Sequence, residues 1–96
     1  MLDKLKKYKW KNRIILVETP DYKNKKYTET KNGYMENIKE FHKRFVKIIP
    51  FKSNKGEFKI HIVGFDGGIK ESYNNFSLKK ILKLIDDMPM GHLRNI

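Results

Sequence analysis

The chain contains no cysteine. It therefore lacks the thiolate that disulfide exchange and thiol-dependent peroxide reduction both require. Disulfide staples and cysteine-ligated metal sites are excluded with it. Arginine is nearly absent too: Arg13, Arg44 and Arg94 are the only three. Long apolar runs are missing, and nothing approaches the roughly 20 residues of a membrane-spanning helix. The opening Met1-Leu2-Asp3-Lys4-Leu5-Lys6-Lys7 is charged but has no apolar stretch behind it, unlike a secretory leader. A chain complete as given is expected to stay in the cytoplasm.

What is present describes one small domain, taken as residues 1–96 with residues 1–11 as a basic lead-in. A chain of this length buries only about 60–65% of its unfolded surface. Hydrophobic residues make up 39% of it, enough for a core and too many for wholesale disorder. The net charge is +11. Such an excess favours an acidic protein, a nucleic acid or an anionic membrane as partner. The alternative is compositional. The charge is overwhelmingly lysine, and Asn and Ile are plentiful, as an AT-rich coding sequence would write on neutral surface positions. Base readout favours the planar fork of arginine, which is scarce here.

Residues 2–11 allow a short helix. Arg13-Ile14-Ile15-Leu16-Val17-Glu18 is a continuous, β-branched run, the mark of a strand buried on both faces. Thr19-Pro20-Asp21 ends it. Residues 21–33 are polar and ambiguous. Tyr34, Ile38, Phe41 and Phe45 then recur at helical spacing, with Gly33 either starting that helix or lying inside a longer one. Val46-Lys47-Ile48-Ile49 is a second strand, stopped by Pro50. Residues 52–57 form a loop. Phe58 to Val63 alternates as a third strand, Asp66-Gly67-Gly68 turns the chain, and Ile69 to Tyr73 returns. Ser77 is placed to cap a helix carrying Leu78, Ile81, Leu82 and Ile85. The order is β-α-β-β-β-α, an α/β domain with a central four-stranded mixed sheet and helices packed on it.

Three motifs narrow this further. Lys9-Trp10-Lys11-Asn12-Arg13 before the first strand, Val63-Gly64-Phe65-Asp66-Gly67-Gly68-Ile69-Lys70 at the hairpin, and Ile85-Asp86-Asp87-Met88-Pro89-Met90 near the end fall in order across residues 9–90. Together they resemble the domain of unknown function 4174, a peroxiredoxin-like family. The resemblance implies a thioredoxin-like fold and marks Trp10, Asn12, Arg13, Gly64, Asp66, Gly67, Asp86, Met88, Pro89 and Met90 as family positions, read here as structural. Phe65 stands where the family has lysine, and Gly91 where it has arginine. Family members also carry a longer connection before the hairpin. Six residues reach at most about 20 Å, enough to cross one neighbouring strand. The thioredoxin sheet order and a plain hairpin between the second and third strands both remain open. The redox activity that the family's likeness to peroxiredoxins implies does not transfer to a chain without cysteine.

No catalytic, cofactor or metal site stands out. His42 lies beside the core stripe, His61 alternates away from Ile60 and Ile62, and His92 is in the tail, so no pair has metal-ligand spacing. Asp86 and Asp87 diverge by about 100° on a helix. Trp10 is expected to cover one end of the core, with Arg13 reaching Asp86 or Asp87. Lys4, Lys6, Lys7, Lys9 and Lys11 interleave with Tyr8 and Trp10, and Lys79, Lys80 and Lys83 add a basic helix face. Charge plus aromatics is the recipe of a sequence-tolerant single-strand surface, or of a short interfacial helix on anionic lipid. The leading expectation is a non-enzymatic, cofactor-free thioredoxin-like interaction domain with a protein partner. A nucleic-acid module working through phosphate contacts is the alternative.

Overall fold

The computed structural model describes residues 2–88, with side chains from Leu5 onward. The sheet is built around β1, Arg13–Thr19. Ile14, Ile15, Leu16 and Val17 are all buried, because β1 has a strand on either side and a layer over each face. The strand order is β2-β1-β3-β4, with β2 at Val46–Lys52, β3 at Lys59–Val63 and β4 at Ile69–Tyr73. β1 pairs with β2 in parallel, from Arg13 opposite Val46 to Thr19 opposite Lys52. It pairs with β3 antiparallel, Leu16 opposite His61. The segment after β2 therefore passes over β1 to reach β3. This crossing settles the topology in favour of the thioredoxin order and against a β2–β3 hairpin.

β2 runs straight through Pro50, where a stop was expected. Proline removes one backbone donor, and an edge strand tolerates that loss. The β3–β4 hairpin turns through Gly67 at φ 84°, and Asp66 Oδ1 accepts the Gly68 amide at 2.9 Å.

The helical segment departs furthest from expectation. Instead of one helix from Tyr34 to Phe45 there are two, α1 at Lys25–Glu36 and α2 at Ile38–Lys43. Asn24 starts α1 by accepting the Tyr27 amide at 3.1 Å. Asn37 breaks the pair, and its Nδ2 donates back to the Gly33 carbonyl at 2.9 Å. Gly33 sits inside α1 because the Phe76 ring packs directly against it. A Cβ there would fall 2.3 Å from Phe76 Cε2.

α3, Leu78–Asp86, follows Ser77, whose Oγ accepts the Lys80 amide at 3.4 Å. All three α-helices cover one face of the sheet. Tyr34, Phe41, Ile81 and Ile85 pack there on Ile15, Val17, Ile60 and Ile62. The other face, with Ile14, Leu16 and Val63, is covered by Leu5 and Tyr8 of an N-terminal 3-10 helix, Leu2–Tyr8, together with Ile49 and Phe51. Among the described residues no helix is long and apolar enough to cross a membrane.

Candidate functional site

The entry to β1 is held from both sides. The Trp10 amide donates to the Phe65 carbonyl at 2.6 Å, and the Arg13 amide to the Phe45 carbonyl at 2.8 Å. Asn12 Nδ2 donates to that same Phe45 oxygen at 3.2 Å. Two side-chain-bearing residues are thereby fixed in left-handed backbone: Trp10 at φ 66° and Phe45 at φ 58°. That conformation costs roughly 1–2 kcal/mol for an L-residue, and the surrounding hydrogen bonds sustain it. Both are aromatic, and both are exposed, Trp10 by 52% and Phe45 by 37%. Trp10 therefore does not cover the core, as its position in the sequence implied.

Lysines gather round Trp10 and the neighbouring Tyr8. Lys7 Nζ lies 5.2 Å and Lys47 Nζ 5.8 Å from the centre of the Tyr8 ring, and Lys9 Nζ lies 6.0 Å from the Trp10 ring. Leu5, Lys6, Lys9, Asp66 and Gly67 line a shallow hollow beside them. Lys11 is exposed nearby. Lys79, Lys80 and Lys83 are exposed on α3, which packs on the opposite face of the sheet from the 3-10 helix. The two lysine groups singled out in the sequence thus do not form one continuous groove. The side chain of Lys4, like Pro89 and Met90, lies outside the described residues.

The remaining family positions converge just beneath this end. Arg13 is 3% exposed, and its guanidinium carbon lies 4.5 Å from the centre of the Phe65 ring. Its Nη1 donates to the Arg44 carbonyl at 2.9 Å, while its Nε has no partner. Arg44, not Arg13, takes the carboxylate. It grips Asp86 with Nε at 2.6 Å and Nη2 at 3.1 Å, and Glu40 Oε1 with Nη1 at 3.1 Å. The expected contact of Arg13 with Asp86 or Asp87 is thus replaced by an ion pair from Arg44 to Asp86, Arg44 standing at the end of α2. Gly64 and Gly67 form the hairpin turn, Asp66 Oδ2 binds Lys70 Nζ at 2.7 Å, and Met88 is buried below.

These contacts set the acid response. The Arg44 hydrogen bonds hold the Asp86 and Glu40 carboxyls below the usual range, and Lys70 does the same for Asp66. Burial lowers the Arg13 guanidinium. A depressed carboxyl stabilises the fold above its unfolded pKa, and that stability is lost as pH falls through its folded value. Urea midpoints are therefore expected to hold near neutrality and to fall below about pH 4. Arg44→Met should flatten that decline, because Asp86 and Glu40 then titrate closer to their unfolded values.

The opposite end of β1 is where a thioredoxin-type nucleophile would follow the strand. Here Thr19 Oγ1 donates to the Asp21 carbonyl at 2.8 Å, Asp21 Oδ1 accepts the Lys23 amide at 2.8 Å, and Asn24 caps α1. These are turn and cap interactions, with no thiol among them.

Beside that turn lies a polar chain not foreseen from the sequence, which showed only that His61 alternates away from Ile60 and Ile62. Ser53 Oγ donates to Glu18 Oε2 at 2.9 Å, Glu18 Oε1 meets His61 Nε2 at 3.1 Å, and His61 Nδ1 meets Ser72 Oγ at 2.7 Å. The His61 and Glu18 side chains are only 15% and 19% exposed. The His61 hydrogen bond is the main cause lowering the Glu18 carboxyl. The signal was present as alternation, since Glu18 and His61 share the Leu16 face, but it becomes readable only once β3 is known to pair with β1.

Comparison with solved structures gives the class. The reduced 2-Cys peroxiredoxin of Plasmodium vivax superposes with a TM-score of 0.72 at 11% identity, covering 95% of this chain and 72% of that one. This is a thioredoxin-like fold with a four-stranded mixed sheet and no cysteine. The chain belongs to the family "Domain of unknown function (DUF4174)", whose model matches residues 4–57. That match takes in the Trp10–Arg13 motif, β1, both helices of the crossover and β2. No curated protein sequence matches the chain.

Proposed function

We propose that residues 1–96 act as one interaction domain that has given up thiol chemistry, and that its partner is an acidic segment of another protein. The binding end is formed by Lys7, Tyr8, Lys9, Trp10 and Lys47, with Phe45 beside it. The observation that carries this reading is Trp10. A large indole held in strained backbone and more than half exposed is costly to keep at the surface, and such outliers concentrate at ligand clamps. The family positions Arg13 and Asp86, with Phe65 and Arg44 between them, are read as the support that holds it there.

A fluorescence titration of Trp10 with a Glu/Asp-rich peptide tests this. Saturable quenching that weakens with added salt, with an affinity that falls at least about tenfold in Trp10→Ala, about 1.4 kcal/mol, is the expected result. The Ala variant is followed by a labelled peptide. Tighter binding to single-stranded DNA than to the peptide would reassign the surface to nucleic acid. Absence of binding to both would remove the proposal.

A further inference from the structure

The Glu18–His61–Ser72 chain goes beyond a binding role, because its hydrogen bonds fix a tautomer. Glu18 is ionised, so its carboxylate can only accept. His61 Nε2 must then carry the proton shared across the 3.1 Å contact. In the neutral imidazole the other nitrogen, Nδ1, then carries a lone pair, and it points at Ser72 Oγ 2.7 Å away. The Ser72 hydroxyl must donate to it. A serine hydroxyl bonded to an imidazole lone pair, with a carboxylate holding the imidazole's other side, is the arrangement that activates serine for attack. Ser53 completes it by donating to the second Glu18 oxygen, which fixes the carboxylate plane.

Access is in place, and an anion donor is freed by movement of one exposed side chain. Ser72 lies on β4, the edge strand of the sheet, and is exposed. Its own amide donates to Glu71 Oε1 at 3.2 Å. Glu71 is itself exposed, so its carboxylate can swing away. The nucleophile's own N–H then becomes a donor for a developing oxyanion. The pairing of β3 with β4 sets His61 directly opposite Ser72, and Glu18 is the diagonal neighbour on β1, so the three side chains are positioned by strands and not by loops.

We propose that Ser72 is a nucleophile toward activated carboxylic esters, with His61 as its base and Glu18 as a positioning residue. Ser72 Oγ forms a bond to the acyl carbon as the ester C–O bond breaks. The Ser72 proton passes to His61 Nδ1 and from there to the leaving alkoxide or phenolate. Water then adds to the acyl carbon, gives its proton to His61, and expels Ser72 Oγ, which recovers a proton.

A fluorophosphonate probe on the intact chain reads the first half of this sequence. A P–O bond forms at Ser72, the P–F bond breaks, and fluoride leaves. Mass spectrometry compares Ser72 with Ser53 and Ser77, the other two serines of the chain, so the primary comparison needs no variant. Ser72 is expected to label at least about tenfold faster than either, with His61→Ala lowering the rate about 100-fold, the scale of a lost general base. The charged group bonded to His61 is Glu18 on β1, on which Lys55 acts from the crossing loop. Glu18→Gln should slow labelling, and Glu18→Asp, which keeps a carboxylate for His61 Nε2, should restore part of the rate. A Glu18 that only packs would tolerate Gln, its isostere, with no loss of rate. Glu71→Gln should speed labelling by removing a negative charge beside the oxyanion. p-Nitrophenyl acetate supplies the ester arm, read as a hydroxylamine-labile acetyl group on Ser72. Ser72 labelling no faster than Ser53 and Ser77, or unchanged by His61→Ala, would overturn the proposal.

Discussion

Phe41→Ala is expected to lose about 3–5 kcal/mol, the range for emptying a fully buried phenylalanine site. Phe41 is completely buried and stacks on Tyr34 with ring centres 4.9 Å apart and planes 19° from parallel. It is the buried anchor of the six-residue α2, which has too few turns to hold itself helical. Its loss leaves a cavity between the crossover and the sheet, and Tyr34 loses its stacking partner. Domains of this size have roughly 5–15 kcal/mol in total, so this one change takes a large share. Urea unfolding followed by far-UV circular dichroism is the measurement; Trp10 is too exposed to report on the core. Tyr34→Phe is the control. It keeps the ring and removes only the 2.8 Å hydrogen bond from Tyr34 Oη to the Val46 carbonyl, for a cost of about 1 kcal/mol. Near-equal losses from the two variants would mean that the hydrogen bond, not the packing, secures the crossover.

The parts of the fold legible in the sequence were those specified by local pattern. Ile14 to Val17 could only be a strand covered on both sides, and the alternation from Phe58 to Val63 could only be a half-buried one. Ser77 announced α3. What escaped the sequence depended on distant neighbours. The start of α1 is hidden because Lys25 to Asn32 offers one large anchor, Tyr27, and its helicity rests on the Asn24 cap. Gly33 is intelligible only through Phe76, more than forty positions along. Pro50 looked like a stop, because nothing local says that β2 is an edge strand. The site followed the same division. The interleaved lysines and aromatics around Trp10 were readable. The left-handed backbone that turns Trp10 outward depends on the Phe65 carbonyl, and the Glu18–His61–Ser72 chain depends on three strands meeting. The missing thiol needed no structure at all.

Arg13 separates packing from charge beneath that site. Arg13→Ala is expected to cost about 2–3 kcal/mol, whereas Arg13→Met should stay within about 1 kcal/mol of the parent protein. The alanine variant removes the stem that packs under Phe65 and strands the Arg44 carbonyl, the acceptor of the 2.9 Å bond from Arg13 Nη1. Leaving this part-buried acceptor without its donor costs about 1 kcal/mol, the low end for an unsatisfied group. The methionine variant strands the same carbonyl but keeps the apolar stem, and sulfur contacts an aromatic ring favourably. It also removes a burden, since Arg13 is a buried cation with an unpartnered Nε and a pKa lowered chiefly by burial. The nearest carboxylate, Asp86, is already held by Arg44 through two hydrogen bonds. If Arg13 served chiefly as an ion-pair partner of Asp86, both substitutions would cost the same, and the acid-induced decline in stability would flatten in each. If it serves to prop Phe65, only the alanine variant should unfold early. In that variant the Phe65 carbonyl should loosen its hold on the Trp10 amide, so affinity for an acidic peptide falls together with stability. Paired urea curves and peptide titrations on the two variants therefore decide whether the family arginine is kept for its charge or for the shape it gives the binding end.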